Sequence, residues 1–174
     1  ATVVTSAGNE ATDYDHNADT VHWPSFASNA ITVSATAPLG WATDFEGTSL
    51  DTPSYFSNYG QSAIDFAAPG GSDDFYFDEQ GLNACTVAGI TRPCFVFDLV
   101  MSSASGTWWW AQGTSMAAPH VAGVAALIIG KNGGSMDPKK VKSILKRSAD
   151  DLGKPGNDDF YGQGRVNAYR AVMQ

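Results

Sequence analysis

Hydrophobic and polar positions along the chain change period several times, and each change predicts an element. Thr2-Val3-Val4-Thr5 is a short β-branched run, and Ala30-Ile31-Thr32-Val33-Ser34-Ala35 alternates apolar with hydroxyl side chains, so both predict strands. The first run ends in Ala7-Gly8-Asn9-Glu10, where Gly8-Asn9 is a turn signal. Gly113-Thr114-Ser115 opens a stretch that is apolar on almost every side as far as Gly130, the pattern of a helix buried at the centre of a domain. Asp137-Pro138-Lys139-Lys140 places a cap before a proline at the first helical position, predicting a helix to about Ser148 with Val141, Ile144 and Leu145 on one face. Residues 71–101 alternate poorly. They are acidic at the start (Asp73, Asp74, Asp78, Glu79) and end in an apolar run, which predicts a stapled hairpin or loop. Trp108, Trp109 and Trp110 cannot all face inward in a strand, because neighbours point to opposite sides. Core packing and a wall for a ligand are both open for them.

Composition narrows the class. The 174 residues are 43% hydrophobic and include 18 glycines, enough for one globular domain with a core. The net charge of -8 repels a nucleic-acid backbone, which excludes that partner. The longest strongly apolar stretch, 121–129, is far shorter than the roughly 20 residues of a membrane helix. Cys85 and Cys94 are the only cysteines, too few for a zinc site and not spaced as Cys-x-x-Cys, so a local disulfide in a secreted protein is expected. The sequence opens at Ala1 in a strand-like run without an initiator Met, so a segment upstream is expected to have been removed or left out.

Candidate chemistry centres on Ser115. At a helix N-terminus, unpaired backbone N–H groups and the positive dipole end stabilise negative charge developing beside the hydroxyl, with Thr114 or Ser115 expected as the cap. A second candidate is Asp13, Asp15 and Asn17, oxygen-bearing side chains at alternate positions as in the first half of a calcium loop. That match fails at Ala18, where Gly is needed, and at Pro24, where a bidentate Glu is needed, so a solvated acidic loop is the competing reading.

The eleven residues Gly113-Thr114-Ser115-Met116-Ala117-Ala118-Pro119-His120-Val121-Ala122-Gly123 resemble the nucleophile block of the subtilisin-like serine proteases at every fixed position, and Ala7-Gly8-Asn9-Glu10 resembles that family's oxyanion block. Phe56-Ser57-Asn58-Tyr59-Gly60, Ile64-Asp65-Phe66-Ala67-Ala68-Pro69-Gly70 and Gly164-Arg165-Val166-Asn167-Ala168 resemble further blocks in the same order. The resemblance implies an α/β fold with a three-layer architecture and a mostly parallel sheet, of which residues 1–174 are the C-terminal part, with an unmatched insertion at about 71–101. It implies a serine endopeptidase in which Ser115 is the nucleophile, Asn9 and the Ser115 N–H hold the oxyanion and Thr114 supports them. Ser6, Ala7, Gly8 and Glu10 would form one side of the pocket for the side chain before the scissile bond, with His22 near its base. Asp65 would hold a cation against carbonyls of residues 25–30, with structural calcium as the candidate ion and no cofactor required for the chemistry. Met116, beside the nucleophile, implies sensitivity to peroxide.

A serine needs a general base oriented by a carboxylate. The family's Asp-Thr-Gly and His-Gly-Thr blocks, which precede the oxyanion block, do not occur in this sequence. His120 is expected to be a packed core residue, and His16 and His22 lie in loops. The expected partners are therefore an upstream segment carrying Asp and His and, as substrates, proteins or peptides outside the cell. The rival reading is a non-catalytic interaction module derived from such a protease.

Overall fold

The computed structural model describes residues 1–17, 23–25, 27 and 29–174. Its main sheet gathers β1 (Val3–Ser6), β2 (Ala30–Ala37), β3 (Thr52–Pro53) and β4 (Phe66–Pro69). β1 runs parallel to β2, with Val3 opposite Ala30 and Ser6 opposite Val33. β4 runs parallel to β2 on its other side, from Val33 opposite Phe66 to Thr36 opposite Pro69, and β3 crosses Thr36 and Ala37 antiparallel. All eight residues of β2 are buried, as befits a strand covered on both faces.

The apolar and hydroxyl residues that alternate along β2 divide between those faces. Ile31, Val33 and Ala35 join Phe66 and Ala68 in a core shared with α1 (Thr114–Lys131), α2 (Pro138–Ser148) and α3 (Ala168–Val172). On the opposite face the hydroxyls of Thr32 and Ser34 donate to the carbonyls of Ser25 and Phe160, so loops cover that side, while the buried Thr36 hydroxyl next along it has no hydrogen-bond partner among the described residues. Val33, Phe66, Val121, Ile128, Val141 and Leu145 are at most 1% exposed, and burial of each contributes roughly 1.5–3 kcal/mol. The Asp137 carboxylate accepts the Lys139 N–H ahead of Pro138, and Asn167 caps α3 through the Arg170 N–H.

α1 is buried along one side only, where its apolar sequence alone predicts burial all round and the family blocks missing upstream predict the loss of one packing face. Thr114, Ala117, Val121, Val124, Ala125 and Ile128 form its buried face, spaced three or four residues apart. The opposite face, with Pro119, Ala122, Ala126 and Leu127, is exposed, and Leu127 is 54% exposed. The sheet, α2 and α3 all pack against one side of the helix. Among the described residues nothing lies within 4 Å of a methyl group added at Gly123 or Gly130.

The stapled hairpin expected within residues 71–101 is present, and a second ribbon follows it. β5 (Ala84–Val87) pairs with β6 (Ile90–Pro93), stapled by the Cys85–Cys94 disulfide, and β7 (Val100–Ala104) pairs with β8 (Thr107–Ala111). Asp98, 1% exposed, fastens the segment to the body by accepting the N–H groups of Gly40 (2.7 Å) and Trp41 (3.2 Å). Trp108 and Trp109 are each 61% exposed, so core packing does not account for them. Trp110 is half-buried with the Arg92 guanidinium 5.7 Å from its ring centroid. Near the C-terminus Arg165 bridges Asp51 (3.0 Å) and Asp150 (2.5 Å), and Arg170 also pairs with Asp150. Among the described residues no helix is long and apolar enough to cross a membrane.

Candidate active site

β1 and α1 converge end to end. The Ala7 N–H bonds the Val33 carbonyl at 3.0 Å, continuing the ladder one residue past β1, and the chain then turns at Gly8 with φ +102°. On the other side Gly113, with φ +139°, anchors its N–H on the Gly70 carbonyl and is followed directly by the first helical residue, Thr114. Both φ values lie where side-chain-bearing residues are strained, which explains glycine at the two ends of the junction.

Thr114 ties the ends together. Its N–H and its hydroxyl each donate to Asn9 Oδ1 at 2.9 Å, and the hydroxyl accepts the Gly8 N–H at 3.1 Å. A backbone N–H can only donate, so the amide atom facing it must be the oxygen, and the Asn9 Nδ2 group is turned to the other side. Asn9 is exposed, and its Nδ2 has no hydrogen-bond partner among the described residues. The expected cap is absent. Gly113 is the N-cap of α1 with no side-chain bond, because the Thr114 hydroxyl is committed to the β1 turn and Ser115 already lies inside the first helical turn. Ser115 is exposed, while Thr114 before it is fully buried. The Ser115 N–H belongs to the first-turn amides that a helix leaves without an internal acceptor, and it has none among the described residues.

The turn carrying Asn9 rests on Asn58, a residue with no accessible surface. Its Oδ1 accepts the N–H groups of Glu10 and Thr12 at 2.9 Å each. Its Nδ2 lies 3.1 Å from the Ala7 carbonyl and 2.7 Å from both Glu10 Oε2 and the Tyr14 hydroxyl. The block around Asn58 is visible in the sequence, but not this function, because its partners lie 44 to 51 residues away. The visible signal is a polar amide between Phe56 and Tyr59. Among the expected pocket residues, Ser6 and Gly8 are half-buried, Ala7 is fully buried and Glu10 is exposed beside Asn9. His22 lies outside the described residues.

His120 is not a core residue. It is exposed, with its Nδ1 2.8 Å from the Met116 carbonyl, because its side of α1 is the uncovered one. His16 is exposed and pairs with Asp13 Oδ2 at 2.7 Å. That hydrogen bond raises the imidazole pKa and lowers that of the Asp13 carboxyl. Asp13 also accepts the Asp15 and His16 N–H groups, while Asp15 accepts the Gln61 and Ser62 N–H groups and the Ser62 hydroxyl. The two carboxylates therefore brace separate turns, Asn17 is exposed, and these residues do not fit a calcium loop. No three His, Cys, Asp or Glu side chains converge among the described residues. Asp65 does not fit the cation expected from the resemblance either. Its Oδ1 meets the Lys142 ammonium at 2.6 Å and its Oδ2 accepts the Thr32 N–H at 3.0 Å, so a positive charge already faces the carboxylate.

A family model described as the subtilase family matches residues 1–164. Thermitase of Thermoactinomyces vulgaris is 30% identical over 168 residues, covering 97% of this chain and 42% of that protein. An extracellular protease of Xanthomonas campestris pv. campestris is 33% identical over 172 residues, covering 98% and 23%. The crystal structure of a lanthipeptide protease superposes with a TM-score of 0.75 at 32% identity, over 99% of this chain and 51% of that one. The chain thus spans between about a quarter and about half of the length of these relatives.

Proposed function

The chain belongs to the subtilase family, and from that premise we propose that it is the C-terminal part of the catalytic domain of a secreted serine endopeptidase. Ser115 attacks the peptide carbonyl. The Asn9 Nδ2 group and the Ser115 N–H receive the oxyanion, and Thr114 fixes the amide so that Nδ2 is the atom presented. The base and its orienting carboxylate come from the part of the domain that precedes these residues in the family. A neutral amide suits the oxyanion because it donates without being neutralised by the charge it binds, in a bond that strengthens as that charge develops.

The observation that carries this reading is the bond pair from Thr114 to Asn9 Oδ1, which joins two segments 105 residues apart and leaves the amide N–H₂ unbonded beside the first turn of α1. Several relatives are named extracellular proteases, and the Cys85–Cys94 disulfide agrees with an oxidising compartment. The exposed apolar face of α1 supports a further packing partner, and the remainder of a catalytic domain is its natural occupant given the greater length of the relatives.

The test is to treat the whole protein with a fluorophosphonate and map the adduct. Labelling at Ser115, lost in Ser115→Ala, is expected. An intact protein that takes up no label is instead the non-catalytic module, and the protease reading fails.

A further inference from the structure

We infer that Asn58 is a positioning residue for the Asn9 amide, holding it through the backbone on either side. This rests on the protease reading above. Asn9 sits on a turn rather than in a strand or helix, and its own side chain is held at one end only, by Thr114. Where Nδ2 points therefore depends on where the backbone of residues 8–10 sits.

Asn58 brackets that backbone. Its main-chain N–H donates to the Gly8 carbonyl at 3.0 Å, and its Oδ1 accepts the Glu10 N–H at 2.9 Å, so the peptide groups before and after Asn9 both end on this one residue. The same Oδ1 takes the Thr12 N–H, and Nδ2 shares its two hydrogens among the Ala7 carbonyl, the Glu10 carboxylate and the Tyr14 hydroxyl. The Tyr14 hydroxyl in turn donates to the Ala7 carbonyl at 2.7 Å. Only an amide fits this set. Aspartate would offer acceptors alone and set a second carboxylate against Glu10, and an apolar residue would leave the Glu10 and Thr12 N–H groups without their shared acceptor at a position with no accessible surface.

An oxyanion donor acts on charge present only in the transition state, so a displaced donor lowers kcat and leaves KM nearly unchanged. A residue that acts through Asn9 loses its effect once the Asn9 amide is gone. A residue that merely stabilises the fold does not.

The experiment measures kcat and KM of the whole protein on a peptide substrate for Asn58→Ala, Asn9→Ala and the double variant. Asn58→Ala is expected to lower kcat by about 10-fold or more with KM changed less than about 3-fold, since small misplacements of catalytic groups cost on the order of up to 10²-fold. In the Asn9→Ala background the same substitution should change kcat by less than about 2-fold. Tyr14→Phe removes only the hydroxyl and provides the same comparison if Asn58→Ala fails to fold. Equal losses in the two backgrounds, or an unchanged kcat in the single variants, overturn the inference. A native protein labelled at Ser115 that gives that result loses this inference alone, whereas one that neither takes label nor cleaves peptide loses both readings.

Discussion

Thr114 precedes the candidate nucleophile, is completely buried, and spends its side chain on neither core filling nor helix capping. Its hydroxyl is the acceptor for the Gly8 N–H and one of the two donors to Asn9. Thr114→Ala should therefore destabilise by about 1–3 kcal/mol, the cost of a buried N–H without a partner, and lower kcat as Asn9 loosens. Thr114→Ser keeps the oxygen and loses one methyl group, so it should retain most of both. Denaturant midpoints and turnover measured on the two variants check this, and equal losses would assign the effect to the methyl group. At this scale the meeting of the Asn9 turn with the start of the Ser115 helix was legible in the sequence, because each sits in a contiguous block. The function of Thr114 was half legible, its support of Asn9 expected and its expected cap absent. The bracket made by Asn58 was not legible at all, since its partners belong to a turn distant in sequence, and single-sequence patterns carry no pairwise information of that kind.

Among the elements, the two-ribbon segment differs most from expectation. Its alternation was weak because ribbons standing off the body have no buried face to impose a period of two, and every residue of β6 is exposed. Among the contacts that fasten it, beside the Ser54 and Tyr55 hydroxyl bonds to Gly71 and Asp73, is one buried carboxylate, Asp98. Burial pushes the Asp98 pKa up to about 6, more than the N–H groups of Gly40 and Trp41 lower it. With the folded pKa above the unfolded one, the native protein keeps a proton that the unfolded chain has lost between about pH 4 and 6, so this group favours folding less as pH rises through that window. The stability of the native protein relative to Asp98→Asn should fall by roughly 2 kcal/mol from pH 4 to pH 7. Asp13, Asp15 and Asp150 carry lowered pKa values and act in the opposite sense, losing stability as pH falls below the ordinary carboxylate range. For Asp150 burial works upward, but the hydrogen bonds from Arg165, Asn167 and Arg170 outweigh it. These groups are common to both proteins and cancel in the comparison, so a difference that is flat with pH would refute the assignment to Asp98.

For the molecule as a whole, the sequence of α1 and its surroundings disagree, and the disagreement is informative. A helix apolar on nearly every side predicts a central position, the family blocks missing upstream predict one packing face lost, and the sheet with α2 and α3 buries only half of it. β1 and β2, by contrast, lie where their β-branched runs place them, because both faces of β2 are covered within this chain. If the remainder of the catalytic domain packs against the other half of α1, Leu127 changes from 54% exposed to buried. Leu127→Lys then sets an unpaired ammonium in an apolar contact of the whole protein, a cost of several kcal/mol, together with loss of the packing that brings base and nucleophile together. In the isolated chain of residues 1–174 the same substitution sits on the surface, where effects stay within about 0.5 kcal/mol. Thermal midpoints of the four species decide the matter. A large drop confined to the whole protein, with loss of Ser115 labelling, is expected, and a whole protein as tolerant of Leu127→Lys as the isolated chain would mean that this face is not where the rest of the domain sits.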